Sequence, residues 1–180
     1  MTLNNLILYI YCSPLELIAR YILLFSGIFL LLEADLGLRR WFRPLVGSLL
    51  LVWLAAVLCI TVLDRESGIS HLPALIPFHS YWEMYQTQNW EIGRSNFMNV
   101  AMCYPGGLLL TFLFPKGWSR RKRLGAIAAV FLTLSIIIEF AQYFYCLGRP
   151  EIDDVIHNTL GAILSCLMAS LNYKLPEKRA

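Results

Sequence analysis

Five apolar stretches, each long enough to cross a lipid bilayer, constrain this chain more than any other feature of its sequence. A helix rises about 1.5 Å per residue, so about 20 apolar residues span the hydrocarbon core of a membrane, which is about 30 Å thick. The five stretches run from Leu15 to Leu32, Pro44 to Leu63, Asn96 to Phe114, Leu124 to Tyr145 and Val155 to Tyr173. The sequence therefore predicts an all-α integral membrane bundle of about five transmembrane helices, forming one domain over residues 1–180.

The composition supports this fold class and excludes several others. Of the 180 residues, 58% are hydrophobic and only 15% are charged, whereas charged residues make up about 25% of a soluble domain. Such a chain has too little polar surface for a disordered protein, a nucleic-acid-binding protein or an ordinary cytosolic enzyme. The lipid bilayer is the expected partner, and the oligomeric state is left open.

The placement of lysine and arginine predicts the orientation of the helices. If five helices alternate, 11 of the 15 basic residues fall on one side of the membrane, in the first and third connections and in the C-terminal tail. Nine of the 12 acidic residues lie on or near the other side. By the positive-inside rule, the N-terminus lies outside and the C-terminus is cytoplasmic, as in a multi-pass plasma-membrane protein.

A long outer segment, Asp64 to Ser95, joins the second and third predicted spans. It contains the sequence Leu75-Ile76-Pro77-Phe78, followed by aromatic residues mixed with polar ones at Tyr81, Trp82, Tyr85 and Trp90. This mixture is typical of a short helix at the level of the lipid headgroups. Such a helix would serve either as part of an ordinary aromatic belt or as a lid over a site.

Glu139 is the most informative single residue, because it is an acid inside an apolar stretch. It lies about 9 Å from the outer end of its predicted helix, at about 1.5 Å per residue. A carboxylate near the bilayer centre costs about 2.5–3.5 kcal/mol on insertion scales. We therefore expect Glu139 to face the bundle interior or a water-filled cleft, with Gln142 on the same helix face.

Further polar residues are expected near Glu139 at the outer side. Arg149 precedes the fifth predicted span, and Asp153, Asp154 and Asn158 occupy its first turns. With Asn99 from the third span, they predict one outward-facing acidic pocket. The pocket residues are Asn99, Glu139, Gln142, Arg149, Asp153, Asp154 and Asn158.

The charges of this pocket leave a cation site open. Three acids around one arginine repel one another unless they are protonated, paired or bridged by a cation. A divalent cation at Glu139, Asp153 and Asp154 is therefore one expectation; otherwise no cofactor is predicted. The three histidines show no zinc-binding spacing.

The third predicted span contains Pro105, Gly106 and Gly107 at about its middle. Proline removes a backbone hydrogen bond, and glycine lets another helix or a ligand approach closely. The sequence therefore predicts a structural kink that interrupts this helix within the membrane.

Three interpretations of the polar residues remain open from the residues alone. They are a structural network, a site for the headgroup of an envelope lipid or glycolipid, and a proton or ion pathway. If the site is catalytic, Glu139 or Asp154 is the candidate general base. The ligand-binding candidates are Asn99, Gln142, Arg149, Asp153 and Asn158.

Four motifs in order carry a resemblance to a known family. They are Leu75-Ile76-Pro77-Phe78, Asn99-Val-Ala-Met-Cys103-Tyr104-Pro105-Gly106-Gly107, Glu139-x-x-Gln142, and Gly148-Arg149-x-x-Ile152-Asp153-Asp154-Val155-x-x-Asn158-Thr159-x-Gly161-Ala162. Over about Val46 to Leu171 the chain resembles the VanZ-like membrane proteins. Cys103 stands where that family has phenylalanine, and Ser165 stands where a second glycine is common.

The resemblance implies a small bacterial membrane protein related to one that confers resistance to the lipoglycopeptide teicoplanin. It places the family's polar motif positions on the seven pocket residues named above. We accordingly expect a protein that modulates susceptibility to glycopeptide antibiotics by binding an envelope lipid or glycolipid. A lipid-linked envelope precursor and the lipoglycopeptide itself are the candidate partners. Catalysis on such a lipid-linked substrate and a purely structural network remain alternatives.

Overall fold

The described part of the chain consists of helices and the connections between them. A computed structural model describes residues 40–65, 68 and 72–172; for residues 171 and 172 it describes the backbone only. The helices are α1 (Phe42–Leu58), which continues as a π-helix (Cys59–Leu63), α2 (His79–Thr87), α3 (Trp90–Leu113), α4 (Arg120–Phe144) and α5 (Ile152–Asn172). No strand occurs among the described residues, which confirms the all-α fold class; the predicted span Leu15 to Leu32 and the basic tail lie outside them.

Three helical segments are long and apolar enough to cross a membrane. They are Phe42–Leu63, Trp90–Leu113 and Arg120–Phe144, and they correspond to the second, third and fourth predicted spans. The fifth predicted span forms α5, which is helical but is not among these three. The count of about five spans therefore stays a prediction.

The closest helix packing joins α3 to α5, and glycine makes it close. A Cβ atom added to Gly161 would lie 2.1 Å from the carbonyl oxygen of Val100. One added to Gly107 would lie 2.6 Å from the Cα atom of Ala162. Small residues at a crossing allow backbones to approach in this way, and the crossing fixes α5 against α3.

Pro105 lies inside α3 and does not interrupt it, whereas a bend at Pro105, Gly106 and Gly107 stays a prediction. The helix is continuous from Trp90 to Leu113 with Pro105 inside it. The Trp53 indole of α1 donates a hydrogen bond of 2.9 Å to the carbonyl oxygen of Met102, within one turn of the proline. Gly106 permits this contact, because a Cβ atom there would lie 2.5 Å from the Trp53 ring. The proline and glycine residues thus serve a close contact between α1 and α3.

The segment before α2 pairs with the chain just before α5. Ala74 forms an isolated parallel bridge with Glu151. Its amide donates to the carbonyl oxygen of Pro150 at 2.9 Å, and its own carbonyl oxygen accepts from Ile152 at 3.0 Å. This pairing holds α2, the expected short helix of the outer segment, against the start of α5; its place at the lipid headgroups stays a prediction. We call this end of the bundle the α2 end.

Candidate functional site

The carboxylate of Asp153 caps the start of α2 from across the bundle. Its Oδ1 atom accepts from the Phe78 amide. Its Oδ2 atom accepts from the amide of Ser80 at 2.8 Å and from the Ser80 hydroxyl at 2.6 Å. Asp153 and Ser80 are both 2% exposed. The site therefore uses Asp153 to position α2, and this geometry does not favour its predicted role in ligand binding.

His157 supports the same attachment one turn further along α5. Its Nε2 atom forms a hydrogen bond of 2.7 Å with the Tyr81 hydroxyl of α2. The sequence analysis assigned no role to His157. The available signal was its spacing of four residues from Asp153, which places both side chains on one helix face.

Glu139 lies in the interior, as the cost of burying an acid in a membrane demands. It is 8% exposed, and its Oε2 atom accepts a hydrogen bond of 2.8 Å from the backbone amide of Glu151. Its carboxyl group also interacts electrostatically with Asp154 and Arg65. Glu139 thus fixes the backbone just before α5.

Gln142 and Asn158 make contacts elsewhere in the bundle. Gln142 donates through Nε2 to the carbonyl oxygen of Thr61 in the π-helix at 3.0 Å. Asn158 donates through Nδ2 to the Ser135 hydroxyl of α4 at 2.8 Å and accepts from the Cys103 thiol of α3 at 3.4 Å. These buried contacts connect neighbouring helices. A role of Gln142 and Asn158 in ligand binding stays a prediction.

A cleft at the α2 end is lined by several charged residues. Its volume is about 360 Å³, near the lower end of the range of about 300–1,000 Å³ found for small-molecule sites. We call it the polar cleft. It is lined by Arg65, Asn89, Glu91, Ile92, Ser95, Asn96, Arg149, Glu151 and Asp154.

Charges of both signs face this cleft. Arg149 bonds through Nη1 to the Glu83 carboxylate of α2 at 3.2 Å and stays about one-third exposed. Burial raises the pKa of Glu151 above the ordinary value for glutamate, and the Arg149 guanidinium opposes that rise. The cleft therefore offers guanidinium groups from Arg65 and Arg149 beside the carboxyl groups of Glu151 and Asp154.

A second cavity, of about 260 Å³, lies on the other side of Glu151. We call it the apolar groove, because its walls are almost entirely nonpolar side chains of α4, α5 and the segment before α2. It is lined by Pro73, Leu75, Ile136, Glu139, Phe140, Tyr143, Pro150, Glu151, Ile152 and Val155. Glu151 lines both cavities, so they share one wall.

The predicted cation site finds no support in the described residues. Within them, no group of three or more His, Cys, Asp or Glu side chains is arranged to hold a metal ion. Both carboxylate oxygens of Asp153 are already bonded to the start of α2. A divalent cation at Glu139, Asp153 and Asp154 stays a prediction that this geometry does not favour.

The structure thus divides the seven predicted pocket residues. Arg149 and Asp154 line the polar cleft, Glu139 lines the apolar groove, and Asn99 lies beside Asp154. The others are the structural contacts described above. Arg65 and Glu151 also line the polar cleft. They were not predicted as site residues, and the available signal was their position in the two outer connections.

Comparisons with known proteins identify the family of this chain. The family model of VanZ/LLP1 matches residues 45–173. Protein VanZ of Enterococcus faecium is 34% identical over 83 residues, which cover 45% of this chain and 47% of that protein. The match therefore spans about half the length of this relative, and no solved structure matches. Since the family model covers most of the chain, this protein belongs to the VanZ/LLP1 family.

Proposed function

We propose that this protein modulates bacterial susceptibility to teicoplanin-type antibiotics by binding the headgroup of an envelope lipid or glycolipid in the polar cleft. The proposal includes a multi-pass location in the plasma membrane, with the N-terminus outside and the C-terminus in the cytoplasm. In that orientation the α2 end faces the cell exterior, where such antibiotics act.

One observation carries the proposal most directly: Arg149 and Asp154 line an open, charged cleft at the end of a membrane bundle. Buried charges in a membrane protein are costly, and they usually mark a ligand or ion pathway. Asp153, His157 and Asn158 have structural partners that account for their presence. The polar cleft, with a volume of about 360 Å³ and charged groups of both signs in its lining, supports the binding of a polar group.

The position of the cleft suggests how binding acts on the drug. A lipoglycopeptide carries an acyl tail, which places the drug in the same leaflet as the envelope lipids. A protein that holds a lipid-linked envelope molecule, or the drug itself, at this level changes how much drug reaches its target. The effect requires binding and no chemical step.

A membrane-embedded enzyme is the second candidate, and one observation favours it. Asp154 lines the open cleft, while Glu139 lies buried and interacts with it electrostatically. Two carboxyl groups in different surroundings are a common acid–base arrangement. In this version Asp154 is the general base toward a lipid-linked envelope substrate, and Glu139 sets its environment.

We expect Asp154→Asn to lower teicoplanin resistance to that of the empty vector when the protein is expressed in a susceptible Gram-positive strain. The substitution keeps the size of the side chain and removes the charge that faces the cleft. The measurement is the minimal inhibitory concentration at equal membrane abundance, determined by immunoblot.

Asp64→Asn is the matched control, because Asp64 is exposed at the same end and does not line the polar cleft. It should leave resistance unchanged. Full resistance in Asp154→Asn at normal abundance would refute the proposal. Loss of abundance in Asp154→Asn, with Asp64→Asn normal, would instead favour a structural network.

A further inference from the structure

We infer that the ligand is a zwitterionic phospholipid with its headgroup in the polar cleft and one acyl chain in the apolar groove. This inference rests on the proposed function and names the class of ligand. The phosphate would meet Arg65 and Arg149, and the amine would meet Glu151 and Asp154.

The two cavities are placed to hold one amphiphilic molecule. Glu151 belongs to the lining of both, so the polar and apolar parts of a lipid can occupy them at the same time. The shared wall is firmly held, by the pairing of Ala74 with Glu151 and by the bond from the Glu151 amide to Glu139. The lipid glycerol would lie over Glu151, where the two cavities adjoin.

The apolar groove opens toward acyl chains. Ile136 and Phe140 form one wall and are 51% and 66% exposed, and both lie on α4, which is long and apolar enough to cross a membrane. In a bilayer, the medium that contacts such side chains is hydrocarbon. Pro73 and Leu75, from the segment before α2, form another part of the lining.

The charges of the polar cleft favour a headgroup that carries both signs. A guanidinium group binds phosphate oxygens with paired hydrogen bonds, and two arginines line the cleft. Glu91, Glu151 and Asp154 line it as well, and they would repel a purely anionic headgroup. An amine attached to the phosphate offsets that repulsion and can donate hydrogen bonds to the carboxylates.

The decisive experiment measures which lipid the purified full-length protein retains. The protein is incubated with equal amounts of phosphatidylethanolamine and phosphatidylglycerol of the same chain length, and bound lipid is measured by native mass spectrometry. We expect phosphatidylethanolamine to be retained in preference to phosphatidylglycerol. Arg149→Gln should lower its occupancy about tenfold, as expected for one lost charge-assisted hydrogen bond, whereas Arg121→Gln, at the opposite end of the bundle, should not.

Adjacent isoleucines on α4 test the acyl-chain position. Ile136 lines the apolar groove, while Ile137 is similarly exposed, at 58%, and does not. Ile136→Trp should fill the groove and reduce retained phosphatidylethanolamine, and Ile137→Trp should leave it unchanged. Glycerophosphoethanolamine, which has no acyl chains, should compete poorly; equal competition would show that a free headgroup, not a lipid, is the ligand.

Each outcome bears on the inference in a distinct way. Equal retention of the two phospholipids would overturn the zwitterionic headgroup, and equal effects of Ile136→Trp and Ile137→Trp would overturn the acyl-chain position. If either result occurs while Asp154→Asn abolishes resistance, the proposed function survives, and only the headgroup class or the acyl-chain position, respectively, is wrong. If Asp154→Asn also keeps full resistance, the proposed function fails independently.

Discussion

Gly161→Ala is expected to prevent the protein from accumulating in a folded form. The added Cβ atom would lie 2.1 Å from the Val100 carbonyl oxygen and 3.0 Å from the Val100 Cα atom. Both are backbone atoms, which cannot rotate out of the way as a side chain can, so α3 and α5 must separate. Overpacking costs about 1–3 kcal/mol or more, and a clash with backbone should lie at or above the upper end. The measurements are membrane abundance and thermal unfolding in detergent.

Gly125→Ala on α4 is the matched control for this substitution. A Cβ atom at Gly125 meets no atom of the described residues within 4 Å. Alanine also favours a helix over glycine by about 1 kcal/mol, so the stability of this variant should be unchanged or slightly higher. If Gly161→Ala matched Gly125→Ala in abundance and melting temperature, the close α3–α5 crossing would be wrong.

The helices could be predicted from the sequence because their lengths are set by the bilayer. The span predicted from Leu124 to Tyr145 corresponds to the helix Arg120–Phe144, and the span predicted from Asn96 to Phe114 corresponds to Trp90–Leu113. The added first turns are polar, and a search for apolar residues cannot detect them. The contact of Trp53 with α3 beside Pro105 could not be predicted either, because it comes from another helix.

The site could be predicted only in part, since its contacts depend on tertiary placement. The burial of Glu139 follows from the cost of a carboxylate in lipid, but its partner is a backbone amide, which no residue pattern reveals. From the sequence, Arg123 was one of the basic residues that predict the orientation of the helices. In the structure it is 3% exposed and donates to the carbonyl oxygens of Pro115, Lys116 and Trp118.

Asp153 and Asp154 show the same limit most clearly. Adjacent acids at a helix start are equivalent in sequence, and both suit the positive end of the helix dipole. They differ only because α2 lies over one side of α5. One carboxylate thereby holds α2, and the other is left to line the polar cleft.

Asp153→Ala is therefore expected to release α2, with a much larger effect on that helix than any change at Asp154. It removes the acceptor for the amides of Phe78 and Ser80 and for the Ser80 hydroxyl. Bonds to a charged group contribute about 1.5–3 kcal/mol each, so losing several should raise the opening equilibrium of α2 at least about a hundredfold. Hydrogen exchange of the α2 amides in detergent measures this opening directly.

Asp154→Ala is expected to affect resistance and not the stability of α2, so it separates the attachment of α2 from ligand binding in the polar cleft. It should leave hydrogen exchange in α2 unchanged, because Asp154 makes no bond to α2 within the described residues, yet it should abolish resistance. Ser80→Ala should fall between wild type and Asp153→Ala in exchange rate, since it removes the hydroxyl's bonds to Asp153 and from Asn96 and keeps both amide bonds to Asp153. Slow α2 exchange in Asp153→Ala would mean that the capping carboxylate does not hold this helix. Fast exchange in both aspartate variants would mean that the two acids act as one network, and the division between a structural and a binding carboxylate would be lost.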